Sequence, residues 1–155
     1  MLKEIERKNY GKRAPTIPHP AEGADQDGMV IVDTTWGKIQ PIQVAEGVQT
    51  VGELEVLKHI QSGLPLVDGR TEDFFRESTL PSAKNIPYTQ VKERVNELNQ
   101  NEMTIFFCNG PQCPQSSLAI HALLEAGYPA EKILYYRGGM HDWLTLGFPV
   151  DVPSE

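Results

Sequence analysis

Residues 103–124, Met-Thr-Ile-Phe-Phe-Cys-Asn-Gly-Pro-Gln-Cys-Pro-Gln-Ser-Ser-Leu-Ala-Ile-His-Ala-Leu-Leu, constrain the fold more than any other stretch of the chain. The apolar run Met103 to Phe107 is short and rich in strand formers, the pattern of a parallel strand covered on both faces. Gly110, Pro111 and Pro114 exclude regular structure directly after it, and Ala119, Ile120, Leu123 and Leu124 restart with a helical period. A strand, a tight loop opening on Cys108 and an amphipathic helix follow from this spacing. In an open α/β sheet, ligands bind beyond the C-terminal ends of the strands, where a helix start directs unpaired N–H groups and its positive dipole end. A thiol there is expected to ionise more easily than usual and to act as a nucleophile. Free cysteine is also among the most buried residue types, so an inert, packed Cys108 stands as the alternative on these residues alone.

The rest of the chain supplies the sheet this stretch needs. Leu64 to Val67 reads as a second short buried strand, with Asp68-Gly69-Arg70 at its C-terminal end. Ile133 to Tyr136 reads as another, with Gly138-Gly139 at its end. Between these lie helical patterns. Val51, Leu54, Leu57 and Ile60 form one apolar face behind a capping box at Thr50 to Glu53, and Thr71 caps a short acid-rich helix carrying Phe74 and Phe75. Thr89, Val91, Val95 and Leu98 suggest another, and Met140 to Leu146 a last one that buries Trp143. Leu80 to Ile86 is a turn and brief strand bounded by Pro81 and Pro87. Short strands alternating with helices imply a parallel sheet with helices on both faces.

Residues 1–28 mix charge with Pro15, Pro18, Pro20, Gly23 and Gly28 and are expected to form an extended or poorly ordered arm. Residues 29–49 are expected to form an accessory hairpin, Met29 to Val32 turning at Thr34 to Gly37 and returning over Ile39 to Ala45, with Trp36 at its tip serving packing. The main domain is assigned to residues 50–150. At 155 residues the chain accommodates one domain with a real core but not two.

Charge and cysteine usage exclude several functions. A formal net charge of -7 opposes nucleic-acid binding, because phosphates are repelled rather than neutralised. No apolar run reaches a membrane span, and the charged N-terminus lacks the apolar centre of a secretory signal, so a cytoplasmic location is expected. The only two cysteines, Cys108 and Cys113, share one loop, which rules out a disulfide framework between distant parts. His19, His59, His121 and His141 show no ligand-like pairing with them, so no metal is expected.

Four markers in order make the chain resemble a single-domain rhodanese, a sulfurtransferase that carries sulfur as a cysteine persulfide. Leu66-Val67-Asp68-Gly69-Arg70 followed by Phe74 is similar to the family's strand ending in Asp-x-Arg. Leu80-Pro81-Ser82-Ala83-Lys84-Asn85-Ile86-Pro87 resembles its Ile-Pro-Gly-Ala-x-Asn-Ile-Pro signature. The Cys108 loop is the third marker. Gly127-Tyr128 with Arg137-Gly138-Gly139-Met140, Trp143 and Gly147-Phe148-Pro149-Val150 is similar to the closing Gly-Gly-x-x-x-Trp-x-x-x-Gly-x-Pro-Val.

The resemblance implies a rhodanese-like open parallel sheet over about residues 50–150. It also implies a persulfide on Cys108, with the loop from Asn109 through Gly110, Pro111 and Gln112 to Cys113 cradling the outer sulfur by its backbone N–H groups. Asp68 and Arg70 would support the loops as an ion pair. The implied partners are a small sulfur donor and a thiol or cyanide acceptor, or a protein that accepts sulfur, with no cofactor. Two departures stand out. Asn109 to Gln115 contains no basic residue, and Cys113 lies inside the loop, where it is a candidate resolving thiol. Two other readings of the same residues stay open: a non-catalytic binding or regulatory module, and a Cys108/Cys113 thiol redox switch. Phosphatases and arsenate reductases related to this fold resemble one another in a Cys-x-x-x-x-x-Arg loop, but the arginine's place is taken here by Pro114.

Overall fold

The structure, a computed structural model, describes residues 20–26, 29–32 and 39–153. Strands β1 (Pro20–Gln26) and β2 (Met29–Val32) pair antiparallel. The remaining elements are β3 (Gln49–Thr50), α1 (Glu53–Gln61), β4 (Leu66–Asp68), α2 (Glu72–Glu77), β5 (Lys84–Asn85), β6 (Thr104–Phe107), α3 (Gln115–Glu125), β7 (Ile133–Tyr136) and α4 (Gly139–Thr145).

Strands β3 to β7 form one five-stranded sheet in the order β3-β7-β6-β4-β5, every neighbouring pair parallel. Strand β6 is central. Because successive side chains on a strand face opposite ways, neighbouring residues feed two separate cores. Val67, Phe106 and Tyr135 join Ala119, Ile120 and Leu123 of α3 on one face. Leu66, Ile105, Phe107 and Tyr136 join Val56 of α1 and Met140 and Trp143 of α4 on the other. All four residues of β6 are buried, as its uninterrupted apolar run requires. The expected α/β sheet with helices on both faces is what the chain forms.

Parallel pairing has a direct consequence for chemistry: the C-terminal ends of β4, β6 and β7 lie at one edge, so Asp68, Cys108 and Arg137 leave the sheet together.

Several local expectations are corrected. Met29–Val32 pairs with the preceding Pro20–Gln26, not with a return strand over Ile39–Ala45. Residues 39–48 contain no regular strand, and Val44 and Val48 instead enter the core on the α3 face. The turn expected at Thr34 to Gly37, with Trp36, and residues 1–19 of the expected arm lie outside the described residues. Thr50 is drawn into β3 by pairing with Tyr135, so α1 is capped by Gly52, whose N–H donates to Glu55 Oε2 at 3.0 Å. The helix expected from Thr89 to Leu98 is a series of turns ending in a 3₁₀ turn at Val95–Glu97. Val91 is buried in the core on the α3 face and Val95 and Leu98 pack against it in part, so the turns place the expected apolar residues without a regular helix.

Candidate active site

Strand β6 ends at Phe107, and the next residue, Cys108, begins a largely buried loop that closes onto the first turn of α3. Cys108 is 2% exposed and Cys113 1%. The loop is tied on every side. Cys113 N–H donates to Gly110 O at 3.0 Å, closing a turn, and Met140 and His141 N–H at the start of α4 donate to Cys108 O and Asn109 O at 3.0 and 2.8 Å. This close approach of α4 requires Gly139, which has φ +56°; a Cβ there would stand 2.3 Å from Cys108 O.

Asp68 and Arg70, at the end of β4, make a buried ion pair against the same loop. Arg70 Nε and Nη2 reach the Asp68 carboxylate at 2.7 to 3.1 Å, and Thr79 Oγ1 adds a bond at 2.9 Å. The remaining guanidinium nitrogen, Nη1, donates to Asn109 Oδ1 at 3.1 Å. Asn85 braces the turn from β5 by donating to the carbonyls of Asp68 and Arg70. A cation therefore meets the loop from a neighbouring strand, although the loop contains none of its own.

A contact not anticipated from the sequence comes from Gln40. Its N–H donates to Pro111 O at 2.6 Å, its carbonyl accepts from Arg137 Nη1 at 2.9 Å, and its side-chain oxygen accepts from Ser117 Oγ at 2.7 Å. The segment before the sheet thus straps the loop to α3 and to the end of β7. No periodicity or short motif marks Gln40, because each of these bonds spans long sequence separations.

The two thiols differ from the expectation in their ionisation. Burial pushes the Cys108 thiol up, as does its contact with the Cys113 sulfur, while Ser116 in the first turn of α3 pulls the other way. The expected easy ionisation of Cys108 is thus corrected: the helix start is present, but the sulfur is fully dehydrated. Cys113 is brought down to about 7, chiefly by the hydrogen bond from Cys108, with burial opposing and with the N–H groups of Asn109 and Gln115 and the charge of Arg70 assisting. The Cys108 thiol faces two acceptors, Cys113 O at 3.4 Å and the Cys113 sulfur. Each thiol also has an oxygen acceptor, Cys113 O for Cys108 and Gln115 Oε1, at 3.3 Å, for Cys113.

All the residues expected at the site converge here. Cys108, Asn109, Gly110, Pro111, Gln112 and Cys113 form the loop, and Asp68 and Arg70 support it. His141 contributes its N–H to the loop, while its ring turns to Asp142 at 3.0 Å.

Residues 53–146 match the model of the rhodanese-like domain. An HTH-type transcriptional regulator of Mycobacterium tuberculosis, Rv0324, is 29% identical over 98 residues, 63% of this chain and 42% of that protein. A candidate sulfur carrier protein of Bacillus subtilis, YrkF, is 28% identical over 80 residues, 52% of this chain and 41% of that one. The chain thus spans about two fifths of the length of each of these curated relatives. Among solved structures, a rhodanese-related protein from Thermoplasma volcanium superposes with a TM-score of 0.55 at 20% identity, covering 67% of this chain and 98% of that one. Among the described residues no helix is long and apolar enough to cross a membrane.

Proposed function

The chain belongs to the rhodanese-like domain family, and from that premise we propose that it is a sulfurtransferase that moves sulfane sulfur through a persulfide on Cys108. The observation that carries this reading is the position of Cys108 at the C-terminal end of the central strand, in a loop facing the start of α3. The Cys108 sulfur, giving up its proton as it does so, attacks the outer sulfur of a donor such as thiosulfate. The donor's S–S bond breaks, sulfite leaves with the bonding pair, and the sulfur stays on Cys108. A thiol or cyanide acceptor, or a protein thiol, then takes it.

Asp68 and Arg70 act in this scheme as positioning residues, fixing Asn109 and hence the start of the loop. Similarity to a candidate sulfur carrier supports sulfur chemistry. Similarity to a transcriptional regulator supports a second reading, a regulatory module that senses a ligand without turnover. The two part on one experiment: a donor panel of thiosulfate, glutathione persulfide and mercaptopyruvate with cyanide as acceptor. Sulfur transfer predicts loss of sulfur from at least one donor, as thiocyanate or sulfide, with the wild-type chain and none with Cys108→Ser. A regulatory module predicts none from either protein.

A further inference from the structure

The chain's only two cysteines are both free and buried in one loop, with Cys108 Sγ 3.4 Å from Cys113 O. Backbone N–H groups of Asn109 and Gln115 converge on the Cys113 sulfur, the Cys108 thiol hydrogen-bonds it, and it lies 3.3 Å from Gln115 Oε1. Cys113 is therefore held with its sulfur against the one on which sulfur transfer depends. An acceptor from solution has no such advantage, since it must reach the covered sulfur of Cys108 anew, as the donor does. A thiol already in place makes the second step intramolecular, which typically raises the effective concentration by several orders of magnitude.

We propose that Cys113 completes the reaction within the loop by attacking the Cys108 persulfide at its inner sulfur, forming a Cys108–Cys113 disulfide and expelling the outer sulfur as hydrosulfide. This rests on the persulfide chemistry proposed above. In the first step the Cys108 thiol gives its proton to the Cys113 thiolate as its sulfur attacks thiosulfate. Sulfite leaves, and the products are the Cys108 persulfide anion and a Cys113 thiol. In the second step the Cys113 sulfur bonds to Cys108 Sγ, the persulfide S–S bond breaks, and the departing sulfur takes the Cys113 proton to become hydrosulfide. The two cysteine sulfurs are oxidised to a disulfide, and the sulfane sulfur is reduced to sulfide. Further turnover requires a thiol or dithiol reductant to reopen the disulfide. The chain's activity is then release of sulfide from a sulfane-sulfur donor at the expense of thiols. Four residues separate the cysteines, and the turn closed by Cys113 N–H on Gly110 O folds that separation back on itself.

The test is a single turnover without oxygen or added thiol. The fully reduced 155-residue chain is mixed with one equivalent of each donor of the panel, then read by intact mass and by sulfide and sulfite assays. The expected wild-type result with thiosulfate is one sulfide for each sulfite, and a chain lighter by two hydrogens with no free thiol. Cys113→Ser is expected to load more slowly, to keep the added sulfur on Cys108 and to release no sulfide. If the wild-type chain instead keeps one added sulfur and both thiols are not joined, the proposal is overturned while the persulfide reading stands. If neither protein takes up sulfur from any donor, the persulfide reading falls and the proposal with it. The wild-type masses decide the matter even if the variant does not fold.

Discussion

Arg70 grips both carboxylate oxygens of Asp68 at 2.7 to 3.1 Å and with its remaining nitrogen reaches Asn109 Oδ1 at 3.1 Å, so one side chain joins the end of β4 to the loop that begins at Cys108. Both members of the pair are buried. Removing Arg70 leaves the Asp68 charge buried with Thr79 as its remaining side-chain donor. Arg70→Ala is expected to cost about 3 to 5 kcal/mol of stability, read from the denaturant midpoint. Arg70→Lys keeps the charge but not the planar fork, so its sulfur uptake should fall more than its stability. A loss below about 1 kcal/mol in Arg70→Ala would show that the pair is not holding the two loops.

Gly139→Ala tests how tightly α4 is set against the loop. The new methyl group meets Cys108 O and the Gly110 amide, backbone atoms that do not yield cheaply. The variant is expected to lose sulfur uptake and stability together. Gly127→Ala is the control: it has φ +88° but no atom within 4 Å of a Cβ, so it should destabilise without disturbing the site.

Ionisation of Cys113 gives the site a pH dependence with a defined sign. Because Cys113 comes down to about 7, the thiolate that accepts the Cys108 proton is present above that pH and lost below it. Arg70 favours the charge, and the nearby Tyr135 is itself harder to ionise, chiefly through burial and then through the two cysteines. The rate of sulfur uptake is expected to rise as pH increases through about 7, and Cys113→Ser should move that rise upward. A wild-type rate unchanged between about pH 6 and 8 would remove Cys113 from the proton transfer.

His59 supplies a separate dependence in stability. Burial lowers its pKa from 6.5, and its Nε2 lies 2.7 Å from Pro65 O. Below 6.5 the unfolded chain takes up a proton more readily than the folded one, so stability is expected to decline as pH falls from that value. His59→Gln, which keeps a donor for Pro65, should flatten that decline. An unchanged slope in denaturant titrations across this range would assign the acid sensitivity elsewhere.

The parts legible in the sequence are those encoded locally. Met103 to Phe107 and Ile133 to Tyr136 are apolar runs whose burial on both faces leaves one reading, and the glycine and proline punctuation after each marks the loop that carries chemistry. Thr89 to Leu98 misleads because Val91, Val95 and Leu98 reach the core from a series of turns as they would from a helix. Thr50 misleads because pairing with Tyr135 outweighs its cap signal. Arg70 meeting Asn109 and Gln40 meeting Pro111 are tertiary contacts, invisible to any window of neighbouring residues. The ionisation of Cys108 is not legible in the sequence for a physical reason: position at a helix start is readable, but burial and a neighbouring second sulfur are not.

Pro114 gives a further functional prediction. It is the N-cap of α3 and offers neither a cation nor an N–H to a tetrahedral oxyanion. Loss of one such donor typically slows turnover by about 100- to 1000-fold. Aryl phosphate hydrolysis and arsenate reduction are therefore expected to be negligible beside sulfur transfer. Phosphatase turnover that depends on Cys108 and equals its sulfur-transfer rate would contradict that assignment.

The most direct measurement of the central claim is the burst of sulfite on mixing reduced protein with thiosulfate, counted per chain. It reads formation of the Cys108 persulfide whatever becomes of the sulfur afterwards. The expected result is one sulfite per wild-type chain in the first turnover and none from folded Cys108→Ser. An equal burst from Cys108→Ser, or no burst from wild-type protein, would contradict the assignment of Cys108 as the residue that takes sulfur from thiosulfate.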